Sequence, residues 1–234
     1  MKKMIFDTSF TSESSECKFN RPKLGNVVII GDSYSTYAGY IPEGYAAWYY
    51  NNPEEGRTDV SDVKETWWYQ LMATTDSELV YNCAYSGSTI SHTGYEGADY
   101  SEHSFVTRAR NLANDGFFKE NTIDTLFIYG GLNDTWAGSP LGEVKYGDIT
   151  EDELYSTLPA MSLMLATLKG ATPKTKIIII IDEKLSDGMK AGFKALGEHY
   201  GTAIIEPENI SLDNGHPNRA GMTELCRQIF DAVK

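Results

Sequence analysis

Apolar runs with strand character recur along the chain at 26–30, 79–83 (Leu-Val-Tyr-Asn-Cys), 125–129 (Thr-Leu-Phe-Ile-Tyr), 176–181 (Lys followed by five Ile) and 202–206. Between them the spacing changes to that of a helix. Leu154, Leu158, Met161, Leu165 and Leu168 step by four and three, as do Met189, Phe193, Leu196 and Tyr200. Thr150 with Glu153 reads as a capping box opening the first of these helices, and Gly170 followed by Pro173 closes it. The last segment puts Met222, Leu225, Cys226, Ile229 and Phe230 on one face. Near-continuous apolar strands alternating with helices predict a parallel sheet of about five strands, covered on both faces in a three-layer α/β/α sandwich. One domain is expected over 25–234, after a polar N-terminal arm at 1–24. No internal repeat is visible, and the nearest thing to an insertion runs from Tyr34 to about Asp62.

Composition narrows the class. The 234 residues include 41% hydrophobic positions but no run long and apolar enough to span a bilayer, so a globular protein with a substantial core is expected. A formal charge of −13 repels polyanions and argues against nucleic acid as a partner. Cys17, Cys83 and Cys226 cannot all pair and read as free thiols without a catalytic role. After Met1-Lys2-Lys3 only Met4-Ile5-Phe6 precedes Asp7, too short for the core of a signal peptide, so the chain as it stands reads as cytoplasmic.

A parallel sheet gathers its C-terminal strand ends on one rim, where open α/β folds bind ligands. Four strand ends here carry chemistry. Gly31-Asp32-Ser33-Tyr34 follows the first, Gly87 the second, Gly131-Leu132-Asn133-Asp134 the third, and Asp213-Asn214-Gly215-His216-Pro217 the last. A serine hydroxyl is a poor nucleophile until an imidazole takes its proton, and the imidazole needs a carboxylate to fix its tautomer and orientation. Ser33, His216 and Asp213 suit these three roles. The N–H groups of Ser33 and Gly87 and the amide of Asn133 suit an oxyanion hole. Of the other histidines, His199 reads as a helix-end residue. His92 and His103 lie near Asp99 and Glu102 in no recognised ligand spacing, so no metal is expected. Asn133-Asp134 has an ordinary turn as its alternative reading, and Asp213 has a helix cap.

The ordered set Gly31-Asp32-Ser33, Gly87, Gly131-x-Asn133-Asp134 and Asp213-x-x-His216-Pro217 resembles the four blocks of the SGNH (GDSL-type) hydrolases, from about residue 25 to the C-terminus. The resemblance implies a flavodoxin-like sandwich and esterase, lipase, thioesterase or carbohydrate-deacetylase activity without a metal or other cofactor. Two departures stand out: Tyr34 follows the serine where Leu or Ile is common, and the segment after it is long.

Ten aromatic residues fall between 34 and 69, beside the candidate nucleophile. Aromatic rings stack on sugar faces while their polar tips bond hydroxyls, which favours a carbohydrate or aromatic ester over a long-chain lipid. Asp32, Tyr34, Trp67, Trp68, Asp134 and Trp136 are therefore candidates for substrate binding, with one of Trp67 and Trp68 expected in the core and one near the site. The expected activity is removal of a short acyl group, acetyl in the first instance, from a carbohydrate. A thioesterase or lysophospholipase of the same fold is the alternative enzyme, and a carbohydrate-binding protein on an idle hydrolase scaffold the alternative of another class. The α/β-hydrolase reading fails because Ser35 stands where that family's elbow needs Gly. No nucleotide-binding glycine motif is present. With an ordinary imidazole as base, activity would fall as pH drops through roughly 6 to 7.

Overall fold

The computed structural model describes residues 22–52 and 57–234. Most of the expected N-terminal arm, with Cys17, lies outside the described residues. Five strands form one sheet: β1 (Asn26–Gly31), β2 (Glu78–Asn82), β3 (Thr125–Tyr129), β4 (Lys176–Ile180) and β5 (Ala203–Ile205). Their order is β2-β1-β3-β4-β5 and every pairing is parallel, which is the flavodoxin-like order. The interior strands are buried on both faces, as expected when Val, Ile and Phe fill consecutive rather than alternate positions.

Among the described residues seven helices connect and cover the strands: α1 (Trp67–Thr75), α2 (Phe105–Asn114), α3 (Phe117–Glu120), α4 (Leu132–Ala137), α5 (Thr157–Ala171), α6 (Asp187–Tyr200) and α7 (Arg219–Val233). α1 packs on α7, while α2 packs on α5 and α5 on α6. Right-handed crossovers from β1 to β2 and from β2 onward run in opposite directions along the sheet, which puts these two groups on opposite faces. The sandwich is thus complete, with the chain reversing direction between β1 and β3, where their C-terminal ends diverge.

The structure corrects one helix start. The capping box at Thr150 and Glu153 forms, but it opens a separate 3-10 turn, Glu151–Tyr155, and Ser156 is extended before α5 begins. Pro159 is the reason: it has no N–H to give Tyr155, and its ring would collide with that carbonyl in a continuous helix. It is tolerated in the first turn of a fresh one.

Between β5 and α7 lies a small antiparallel hairpin, β6 (Leu212–Asp213) and β7 (His216–Pro217), in which Asp213 pairs with His216. Asn214 and Gly215 both have positive φ (48° and 76°), the Asn-Gly signature of a two-residue hairpin turn. Cys83 and Cys226 are buried free thiols.

Candidate active site

Ser33 sits where β1 ends in a 3-10 turn, Ser33–Ser35. Asp32 caps this turn by accepting the Tyr34 N–H, and its own N–H reaches the Tyr129 carbonyl on β3. Gly31 is required by close approach: a Cβ there would lie 2.8 Å from the Ser35 side chain. The chain therefore folds back tightly and turns the serine hydroxyl toward the rim.

The hairpin brings His216 to that hydroxyl. His216 Nε2 and Ser33 Oγ are 2.9 Å apart, although 183 positions separate the residues in the chain. On the other side of the ring Nδ1 is 3.1 Å from the Asn214 carbonyl oxygen. A carbonyl can only accept, so Nδ1 carries the proton and Nε2 presents its lone pair to the serine. That tautomer is the one a general base requires. Burial pushes the imidazole down to about 4; the bond to the Asn214 carbonyl opposes this, and the positive charges of Arg57 and Lys184 add to it. An imidazole lowered in this way puts the acid limb below the roughly pH 6 to 7 of an ordinary one.

Asp213 is a second correction. Its carboxylate accepts from the Asn218 side chain at 3.3 Å, and it does not hold the His216 ring. The tight Asn-Gly turn brings the Asn214 carbonyl to Nδ1 in its place. Asp213 is not the helix cap either, since the Asn218 side chain accepts the Gly221 N–H at the start of α7.

At the expected oxyanion position, the N–H groups of Ser33 and Gly87 have no acceptor among the described residues. Gly87 has φ +83° and open space where a Cβ would be. The Asn133 amide donates to the Ser88 carbonyl at 3.1 Å and, through a longer 3.3 Å contact, to Asp32 Oδ2, while its oxygen accepts from Tyr95 at 2.6 Å. The weaker of its two donated bonds is the one an oxyanion could draw upon. Burial pushes the Asp32 carboxyl up to about 7.

Four of the substrate-binding candidates have structural places instead. Tyr34 is buried and gives its hydroxyl to the Gly215 carbonyl at 2.6 Å, clamping the hairpin turn. Asp134 is fully buried and accepts from the N–H groups of Ile90 and Ser91 and the hydroxyls of Ser91 and Thr157, which secures the loop after Gly87. Burial pushes its carboxyl up to about 6. Trp67 and Trp68 are both in the core, with Trp67 edge-on to Phe127 and Tyr129 and Trp68 against Tyr40. Both fall inside because the helix they open packs its first turn between the sheet and α7. Trp136 is 49% exposed on α4, one turn beyond Asn133.

Sequence reasoning missed two features. Trp48 stacks face to face on His216, with ring centres 3.6 Å apart and planes 9° from parallel. It was visible only as one aromatic among many, since its irregular segment has no period to place a side chain. Arg108 is buried behind the site and donates to the carbonyls of Gly31, Cys83 and His103 and to the Ser88 hydroxyl. Its signal was available: Phe105, Arg108, Ala109 and Leu112 share one helix stripe, so a charge falls on the apolar face. The remaining three histidines lie elsewhere, His92 on Thr107, His103 stacked on Tyr85 and His199 in the last turn of α6 stacked on Tyr146.

A serine hydroxyl facing a neutral imidazole at the carboxyl rim of a 2-1-3-4-5 sheet defines a hydrolase of the SGNH class. A model of the GDSL-like lipase/acylhydrolase family matches residues 25–233. The chain belongs to that family and is an ester-bond hydrolase. Crystal structures of GDSL-like lipases from Bacteroides uniformis and Bacteroides ovatus are each 38% identical to it, with TM-scores of 0.83 and 0.81. The first covers 93% of this chain and 99% of its own, the second 88% and 96%. A family two carbohydrate esterase from Clostridium thermocellum, solved with cellohexaose, shares the fold at 13% identity and a TM-score of 0.60, over 91% of this chain and 64% of its own. No curated protein matches the sequence. Among the described residues no helix is long and apolar enough to cross a membrane.

Proposed function

We propose that this hydrolase removes a short acyl group, acetyl in the first instance, from a carbohydrate through a covalent acyl-enzyme on Ser33. The observation that carries the reading is the 2.9 Å contact between Ser33 Oγ and a His216 Nε2 whose tautomer is fixed by the Asn214 carbonyl. Ser33 Oγ attacks the ester carbonyl while Nε2 takes its proton. The tetrahedral oxyanion is received by the N–H groups of Ser33 and Gly87, with Asn133 as a third donor. His216 then protonates the leaving alcohol, and a water activated by the same nitrogen releases the acid.

Two features support a small acyl group on a sugar. Ser33 is only 4% exposed, which leaves little of the nucleophile open to a bulky acyl group, and the exposed Trp136 offers a flat apolar surface of the kind sugars stack on. The fold is also one that carbohydrate esterases use. The name lipase borne by the 38% identical structures favours the second reading, a longer acyl chain on a thioester or lysophospholipid. Hydrolysis of p-nitrophenyl acetate, butyrate and octanoate by wild type and Ser33→Ala separates them. Turnover that declines with chain length and vanishes in a folded Ser33→Ala supports the acetylesterase reading. A preference for octanoate sinks it, and equal rates in both proteins remove Ser33 from the chemistry.

A further inference from the structure

The imidazole of His216 lacks the carboxylate that usually holds such a base, and a single hydrogen bond to a carbonyl leaves the ring free to rock about the line joining its bonds. The faces of the ring decide its plane. One face lies on the Trp48 indole at 3.6 Å and 9°. Tyr34 meets the imidazole at a steep angle from 5.3 Å, and Tyr49 at 6.5 Å. Both tyrosines also bind the hairpin that carries the histidine, through the carbonyls of Gly215 and Pro217.

Trp48 is itself tied to the nucleophile. Thr36 Oγ1 accepts the Trp48 N–H at 2.9 Å and donates to the Ser33 carbonyl at 2.9 Å, so one hydroxyl links the serine turn to the residue stacked on the histidine. The Arg57 guanidinium lies 4.6 Å from the centre of the same indole and reaches the Trp48 carbonyl and the Tyr50 hydroxyl. The Asn214 side chain in turn donates to the Arg57 carbonyl. The Trp48 ring N–H is buried without an acceptor among the described residues, so the indole is placed by its faces and its backbone.

We propose that Trp48 is the positioning residue of the general base: its indole face fixes the plane of the His216 ring and keeps water from it, the role a carboxylate fills elsewhere by hydrogen bonding. The proposal rests on His216 being the base of the reaction described above. It assigns a purpose to the described part of the segment after Ser33, whose Tyr34 and Tyr49 bind the hairpin and which carries the indole. Groups with charge or titration that face the imidazole are Ser33, Tyr34 and Tyr49 around it, with Arg57 and Lys184 acting at longer range.

The test compares wild type, Trp48→Phe and Trp48→Leu by two readouts. The first is the pH dependence of kcat and KM on p-nitrophenyl acetate; the second is the NMR titration of the His216 ring, which needs no turnover. Losing the flat face should misalign Nε2 and lower kcat in Trp48→Leu about 10- to 100-fold, with KM little changed. Its imidazole should titrate closer to the ordinary value of 6.5 than to the wild-type value of about 4, and Trp48→Phe should stay near wild type in both respects. Wild-type kcat in Trp48→Leu, or a lowered kcat with an unmoved titration, overturns the proposal. Should the leucine variant not fold, the wild-type spectrum decides: the stack requires His216 ring protons shifted upfield by the indole, and ordinary shifts overturn it. A wild type inactive on p-nitrophenyl acetate with upfield-shifted, low-titrating His216 would refute the acetylesterase reading and leave the stack standing.

Discussion

At the scale of single residues, the site turns on which atom holds Nδ1 of His216. A carboxylate there stabilises the imidazolium that forms during attack; the Asn214 carbonyl fixes the tautomer but carries no charge. Asp213 is consequently outside the proton path, and Asp213→Asn should cost less than about threefold in kcat/KM on p-nitrophenyl acetate, where loss of an orienting carboxylate typically costs about 10⁴-fold. A loss of the larger size would restore Asp213 to the site. That Ser33 and His216 would meet was legible because a strand end and a hairpin are local features, and the fold brings all such ends to one rim. The partner of Nδ1 was not legible. Asp-x-x-His spacing describes both a carboxylate reaching the ring and a tight turn that puts a carbonyl there, and only the positive φ of Asn214 and Gly215 distinguishes them. Asp134 was misread for a related reason: its four donors come from the loop after Gly87 and from α5, far away in sequence.

At the scale of elements, all five strands were legible within a residue or two, since runs such as Ile177 to Ile181 are too short and β-branched to be anything else. The helix at 154–168 was misjudged at its start because the leucine spacing continues across Ser156, while backbone sterics at Pro159 do not permit the helix to. The joints between elements are where tertiary structure adds most. Arg108 on α2 bonds the terminal carbonyl of β1, the carbonyl after β2 and the Ser88 hydroxyl beside the expected oxyanion position. Arg108→Leu would strand several buried acceptors at about 1–3 kcal/mol each, so a loss of at least about 3 kcal/mol is expected. In a domain of this size that is a Tm lower by about 6–12 °C in calorimetry. A change under 2 °C, below the roughly 2–4 °C expected for a single kcal/mol, would mean that these carbonyls find other donors.

The whole molecule carries this chemistry on a sheet whose ends converge at one rim, and burying them there has consequences for stability. Asp32 titrates at about 7 in the folded protein, against 3.8 when exposed. The folded state therefore holds a proton that the unfolded state releases above about pH 4, so this contribution is full below about pH 4 and is lost progressively as pH rises to and through about 7. Lowering pH from 8 to 6.5 should stabilise the fold by about 1 kcal/mol through this group, or about 2–4 °C in Tm. Asp134, at about 6, begins to add in the same direction. Asp32→Asn should remove most of the gain; an unchanged pH slope in that variant would show that Asp32 is ionised throughout. The central claim concerns the reacting pair, and the acid limb of kcat/KM on p-nitrophenyl acetate, recorded where circular dichroism shows the fold intact, tests it most directly. A neutral His216 held by a carbonyl and titrating at about 4 predicts activity maintained below pH 6 and half lost only near pH 4. Half-loss between about pH 6 and 7, where an ordinary imidazole titrates, would contradict it.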